Sequence, residues 1–173
     1  MTAAIHVCPL SAIEKSIAAH RPTHLVTLIN RELMIATPEG IAPENHLKLD
    51  MHDIAAPIDG YVAPCGEHVS NLLRFAQGWD RKAPMLIHCW AGISRSTAAA
   101  YVSLCALNPR ASELALAQRL RRAAPEATPN RLIVALADRA LGREGRMVAA
   151  VEAIGRGQMA LSGRPFFLPS VCD

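Results

Sequence analysis

Aromatic side chains are scarce in this sequence: three Phe, two Trp and two Tyr, 4% of its 173 residues. A core must therefore be built mainly from Ala, Leu, Ile and Val, and the 51% hydrophobic and 19% charged content is that of a globular chain. Long apolar runs are missing as well; none approaches the ~18 residues of a membrane span. Neither sign of charge dominates, and the net charge of +3 is too small to argue for nucleic acid, although it suits an anionic ligand. The opening MTAAIHVCPLSAIEK has no basic leader followed by an apolar region, so a cytoplasmic location is the expectation. The cysteines, Cys8, Cys65, Cys89, Cys105 and Cys172, are odd in number and irregularly spaced, with no C-x-x-C and no Cys/His pair at zinc-like distance. This excludes neither thiol chemistry nor oxidation, but it favours no disulfide framework and no metal site. Repeats, low-complexity segments and linkers are also lacking. A single domain over 1–173 is expected, with a core of about 5–155 and an irregular tail over 156–173.

What is present alternates strand-like and helix-like segments. Ile5–Val7 reads as a short strand, followed by a helix over Ala12–His20 with Ser11 as N-cap and Glu14 completing a capping box. His24–Asn30 reads as a buried strand, with a short hairpin near Leu33–Ile35. Leu47, Leu49 and Met51 alternate with Lys48 and Asp50, the period of a half-buried strand. Val69, Leu72, Leu73 and Ala76 mark one face of a helix that ends near Gly78, and Met85–His88 is the next strand. Helices are then expected over Thr97–Leu107, Ala111–Ala123, Arg131–Leu141 and Arg146–Ile154. The tail, with Phe166 and Phe167, is expected to dock on the body, or else to bind a partner. This order predicts an α/β fold: a central, mostly parallel sheet flanked by helices, with ligands at the carboxyl ends of the strands.

The stretch Ile87-His88-Cys89-Trp90-Ala91-Gly92-Ile93-Ser94-Arg95-Ser96-Thr97 occupies such a junction. A cysteine at a strand end, near a helix N-terminus and an arginine, is favoured as thiolate over thiol. If residues 89–95 wrap, their backbone N–H groups converge into an anion-binding nest, and Gly92 permits the positive φ that such a wrap needs. Arg95 closes the ring by gripping two oxygens of a phosphate. Ser96 or Thr97 then donates a hydroxyl to the sulfur, and His88 tunes Cys89 through the loop backbone. Trp90 lies at the rim.

The pattern H-C-x-x-G-x-x-R-S, filled by His88, Cys89, Gly92, Arg95 and Ser96, resembles the signature of cysteine-dependent protein tyrosine phosphatases. The A-G-x-S-R-S core is similar to the dual-specificity branch, and the likeness to small bacterial phosphatase-like proteins spans roughly residues 5–140. Pro129-Asn130 is similar to a pair often found downstream in that branch. The resemblance implies Cys89 as nucleophile, Arg95 and the backbone of Trp90, Ala91, Gly92, Ile93 and Ser94 as phosphate binders, and no cofactor or metal. It also implies a phosphorylated protein or small phosphate ester as substrate, a phosphocysteine intermediate, and an aspartate as general acid and then base.

Three aspartates compete for the acid. The strand pattern favours Asp53, just past the strand end, sequence spacing favours Asp59, and Asp50 alternates with core residues. Other readings also stand. Rhodanese-type sulfur transfer uses a shorter loop. A lipid phosphate would call for lysines that the loop lacks, and a non-catalytic phosphate-binding module would retain the cradle without the acid. Arg119, Arg121 and Arg122 form a basic helix face, either solvated surface or substrate-attracting. Cys105 is expected in the core, while Cys8 and Cys65 are the thiols that could trap an oxidised Cys89. His6, His20, His24, His46, His52 and His68 have no ligand spacing and are given no role. The sequence does not indicate an oligomeric state.

Overall fold

Alternation in the strands decides which way each side chain goes. Ile5 and Val7, Val26 and Leu28, Leu49, and Met85, Ile87 and Cys89 enter one large core, whereas Cys8, Leu25 and Leu86 enter a smaller one with Ile13. The computed structural model describes residues 3–171, so Cys172 lies outside the described residues. Its strands are β1 (Ala4–Pro9), β2 (His24–Ile29), β3 (His46–Asp50), β4 (Met85–Cys89) and β5 (Phe166–Pro169). Its helices are α1 (Ile13–His20), α2 (Gly66–Gly78), α3 (Arg95–Leu107), α4 (Glu113–Ala123), α5 (Arg131–Ala140) and α6 (Arg146–Ile154). The sheet order is β3-β2-β4-β1-β5, with β5 antiparallel to β1 and every other pairing parallel. The expected α/β architecture, a mostly parallel sheet between helices, is what the chain adopts.

α1 covers the smaller core, and the remaining helices build the larger. Central β4 is buried along its whole length, His88 included, as its apolar Met85-Leu86-Ile87 run and central place require. α3 lies against it and is buried from Arg95 to Cys105, because Ala98, Ala99 and Ala100 bring its backbone close to the sheet. No helix among the described residues is long and apolar enough to cross a membrane.

Four local expectations are corrected. Ser11 caps nothing: the Leu10 N–H bonds the Trp90 carbonyl, the chain makes a 3-10 turn over Leu10–Ala12, and α1 starts at Ile13 with no side-chain cap. Leu33–Ile35 forms no hairpin; a 3-10 turn over Arg31–Leu33 leads into loop, because β2 finds its partner in parallel β3. α3 begins at Arg95 rather than Thr97, which places Arg95 and Ser96 in its first turn. The tail is not irregular throughout. Phe166–Pro169 is an edge strand on β1, Phe167 stacks on His6 at 5.7 Å, and Pro169 is tolerated because an edge strand can forgo a ladder donor.

The arginine face is corrected in part. Arg121 donates to the carbonyls of Pro125, Ala127 and Gly155 at 2.6–2.8 Å, so it clamps the end of α6 to the α4–α5 connection. Arg122 is exposed.

Candidate active site

β4 delivers Cys89 to the sheet edge, and α3 departs six residues later, leaving a loop that must turn on itself. Gly92 makes the turn with φ 71°; a Cβ there would sit 2.7 Å from the Pro9 nitrogen, so only glycine fits. The loop's carbonyls point outward. Those of Trp90, Ile93 and Ser94 accept from the backbone N–H of Leu10, Thr128 and Asn130 at 2.9–3.2 Å. Its N–H groups therefore point inward. The Gly92 N–H donates to Cys89 Sγ at 3.3 Å, while those of Ala91, Ile93 and Ser94 have no acceptor among the described residues. Converging free N–H groups in front of a helix N-terminus form an anion cradle.

Cys89 is 2% exposed, and its sulfur also lies 3.1 Å from the buried Ser96 hydroxyl. Arg95 is 6% exposed and donates through Nη1 to the Met51 carbonyl at 2.8 Å. Its Nε is buried without a partner. A buried, unpartnered guanidinium N–H is costly unless a ligand completes it, and beside the cradle the ligand that fits is an oxyanion.

His88 faces the other side of the sheet. The Thr27 hydroxyl lies 2.8 Å from Nε2 of both His88 and His46, and His46 Nδ1 lies 2.9 Å from the Thr37 hydroxyl. One hydroxyl can donate to only one ring while accepting from the other, so the two imidazoles must hold complementary tautomers. Burial pushes His88 down to about 4, with the Cys89 backbone opposing and His46 and Arg95 reinforcing the shift. Burial, with Lys48 nearby, does the same to His46. Both rings are neutral at pH 7. A rigid neutral chain of Thr37, His46, Thr27 and His88 thus underlies the residue next to the nucleophile.

Asp53 stands just past β3. Its Oδ1 accepts from the Ser94 hydroxyl at 2.7 Å and from Asn130 Nδ2 at 2.8 Å. Asn130 also donates to the Ile54 carbonyl, and its Oδ1 caps α5 by accepting from Leu132 and Ile133 N–H. Ser94, the N-cap residue of α3, makes no side-chain cap bond; its hydroxyl is turned to Asp53, to which it donates. Two separate segments therefore hold one carboxylate against the loop. Asp59 is exposed on a turn with no hydrogen bond among the described residues. Asp50 pairs with Arg31 at 3.2 Å.

The structure thus gathers Cys89, Gly92, Ile93, Ser94, Arg95, Ser96 and Asp53, with His88 beneath. Trp90 contributes backbone to the loop, but its side chain is 56% exposed and lines a hollow of about 290 Å³ with Leu10, Ser11, Ala91, Leu161 and Ser162. Cys8 belongs to the smaller core and Cys89 to the larger; Cys65 is exposed at the start of α2, and all three are free thiols. The sequence reading missed Thr27, Thr37 and His46, and it gave His46 no role. It quoted Asn130 only as a likeness.

No protein-family model and no curated protein matches the sequence. Solved structures do. The crystal structure of DUSP15 superposes with TM-score 0.61 at 15% identity, covering 87% of this chain and 89% of that one. Human DUSP28 gives 0.58 at 19% identity, covering 81% and 92%. The Yvh1 phosphatase domain from Chaetomium thermophilum gives 0.57 at 20%, covering 83% and 93%. The chain shares the fold of these phosphatases.

Proposed function

We propose that the chain is a single phosphatase-like domain that hydrolyses phosphate monoesters through a phosphocysteine. The observation that carries this reading is the convergence on one buried sulfur. A hydroxyl and a backbone N–H contact Sγ, an unsatisfied Arg95 Nε and free loop N–H groups lie beside it, and a tethered carboxylate stands at the loop rim. The shared fold of the solved phosphatases supports it.

In the first step the Cys89 thiolate attacks phosphorus in line. The S–P bond forms as the bond to the leaving oxygen breaks, and Asp53 protonates that oxygen. The loop N–H groups and the Arg95 guanidinium bind the non-bridging oxygens and stabilise the charge on them. In the second step water attacks phosphorus while the Asp53 carboxylate takes its proton. The S–P bond breaks, and the Ser96 hydroxyl donates to the departing sulfur. Asn130 and the Ser94 hydroxyl keep Asp53 at the loop throughout. The substrate is a phosphorylated protein or a small phosphate ester, and the location cytoplasmic.

The test is hydrolysis of p-nitrophenyl phosphate by wild type, Cys89→Ser and Asp53→Asn, with and without chelator. Cys89→Ser must be inactive, and Asp53→Asn must lose about 10²- to 10⁴-fold in kcat and one limb of the pH profile. Activity that survives Cys89→Ser would sink the reading.

A further inference from the structure

Between α6 and β5 the chain crosses the outside of the nucleophile loop as a strap. Arg121 Nη2 binds the Gly155 carbonyl at 2.6 Å, and Gly157 N–H donates to the Thr128 hydroxyl at 3.1 Å. Gln158 N–H reaches the Pro125 carbonyl at 2.9 Å and Arg164 N–H the Glu126 carboxylate at 2.8 Å. At the far end β5 pairs with β1. The strap is thus anchored on both sides of the point where it meets the loop.

At that point Gly163 N–H donates to the Ala91 carbonyl at 2.7 Å. The Ala91 carbonyl and the Gly92 N–H belong to one planar trans peptide and point in opposite directions. Outward, the unit is bound by the strap; inward, it donates to Cys89 Sγ at 3.3 Å. A rotation of this plane that loosened one bond would loosen the other. The contact is also tight, since a Cβ on Gly163 would lie 2.7 Å from the Gly92 carbonyl oxygen.

We infer that Gly163 is a positioning residue for the nucleophile: the strap holds the Ala91–Gly92 peptide from outside so that its inner N–H stays aimed at the Cys89 sulfur. The turnover half of this inference rests on the phosphatase reading; the half that concerns the sulfur does not.

Gly163→Ala tests it. The added methyl must displace either the peptide or the strap, and both loosen the same bond. Alkylation of Cys89 by iodoacetamide, followed by mass spectrometry at pH 6.5, should slow about 5-fold. kcat on p-nitrophenyl phosphate should fall about 10-fold or more, with a smaller change in KM. Glu126→Ala removes the Arg164 anchor without adding bulk, so it should shift both rates in the same direction by about 2-fold. It also decides the matter if Gly163→Ala does not fold. Met159→Ala, on the exposed crest of the strap, is the control and should match wild type. If the folded variants alkylate and turn over like wild type, the inference is overturned. A wild type that hydrolyses no phosphate ester, while the variants still slow alkylation, overturns the phosphatase reading and upholds the strap.

Discussion

Acidification between pH 6.5 and 4.5 should destabilise this protein before most of its carboxylates titrate, and His46→Gln should remove part of that effect, His6 being the other ring besides His46 and His88 that burial pushes down to about 4. His46 and His88 each have an ordinary value of 6.5 and are pushed down to about 4 in the folded chain. In this window the unfolded chain binds protons that the folded chain refuses. Stability is therefore fully present above pH 6.5 and is lost as pH falls toward 4. For each ring the loss by pH 4.5 is about 2 to 3 kcal/mol, and the steepest slope is about 1 kcal/mol per pH unit. His88 is enclosed on all sides, whereas His46 lies shallower, so solvent screening takes its share to the bottom of that range or below. They also share the Thr27 hydroxyl, which cannot donate to either ring once both are protonated. Urea unfolding at half-unit steps, with wild type and His46→Gln compared at each pH, gives the two slopes. Gln keeps a hydrogen-bonding group for Thr27 and does not titrate. Equal slopes for the two proteins would refute the argument that the buried relay contributes to acid stability.

Other perturbations separate the contributions of single contacts. Asn130→Ala removes the cap of α5 and a tether of Asp53; it should cost about 1 to 2 kcal/mol in chemical denaturation and lower kcat. Asn130→Asp keeps the cap but sets a carboxylate against Asp53, so it should recover stability better than turnover, read from the same two assays. Ser96→Ala should leave the first, phenol-releasing step nearly intact and slow breakdown of the intermediate, seen as a p-nitrophenol burst in stopped flow. Arg143→Met should cost about 1 to 2 kcal/mol: it removes the 2.8 Å pair to buried Glu113 and the donors to the Cys105 and Pro109 carbonyls, while Arg146, 3.1 Å away, still compensates the carboxylate; thermal or urea unfolding measures it.

Much of the fold was legible because β2, β4 and α3 are apolar over lengths that only buried elements sustain. The nucleophile loop was legible because its residues are contiguous. The rest of the site is assembled across the sheet. Thr27 sits beside His88 only through the register of β2 on β4, and no local pattern states a register. A hint was available in Thr27 and His88, polar residues inside the largely apolar strands β2 and β4. Asn130 carried a clearer one: an Asn before Arg131-Leu132-Ile133 is a helix-start signal that the reading did not use. β5 escaped because four residues ending in proline look like loop until an edge is there to receive them. Spacing favoured Asp59 and the strand pattern Asp53; what sets the two apart in the fold is the reach of Ser94 and Asn130 to Asp53.

The pairing of β5 with β1 also bears on the order of folding. It joins Val7 to Phe166 and so closes a loop comprising nearly the whole chain, whereas β1, β2 and β4 can find one another much sooner. Closing so long a loop carries a high entropic cost before any contact offsets it. During synthesis the outer edge of β1 waits unpaired while all six helices emerge, a template for wrong partners in that interval. Because Gly163 lies only three residues before this strand, the outer wall of the nucleophile loop is among the last parts of the molecule to be set.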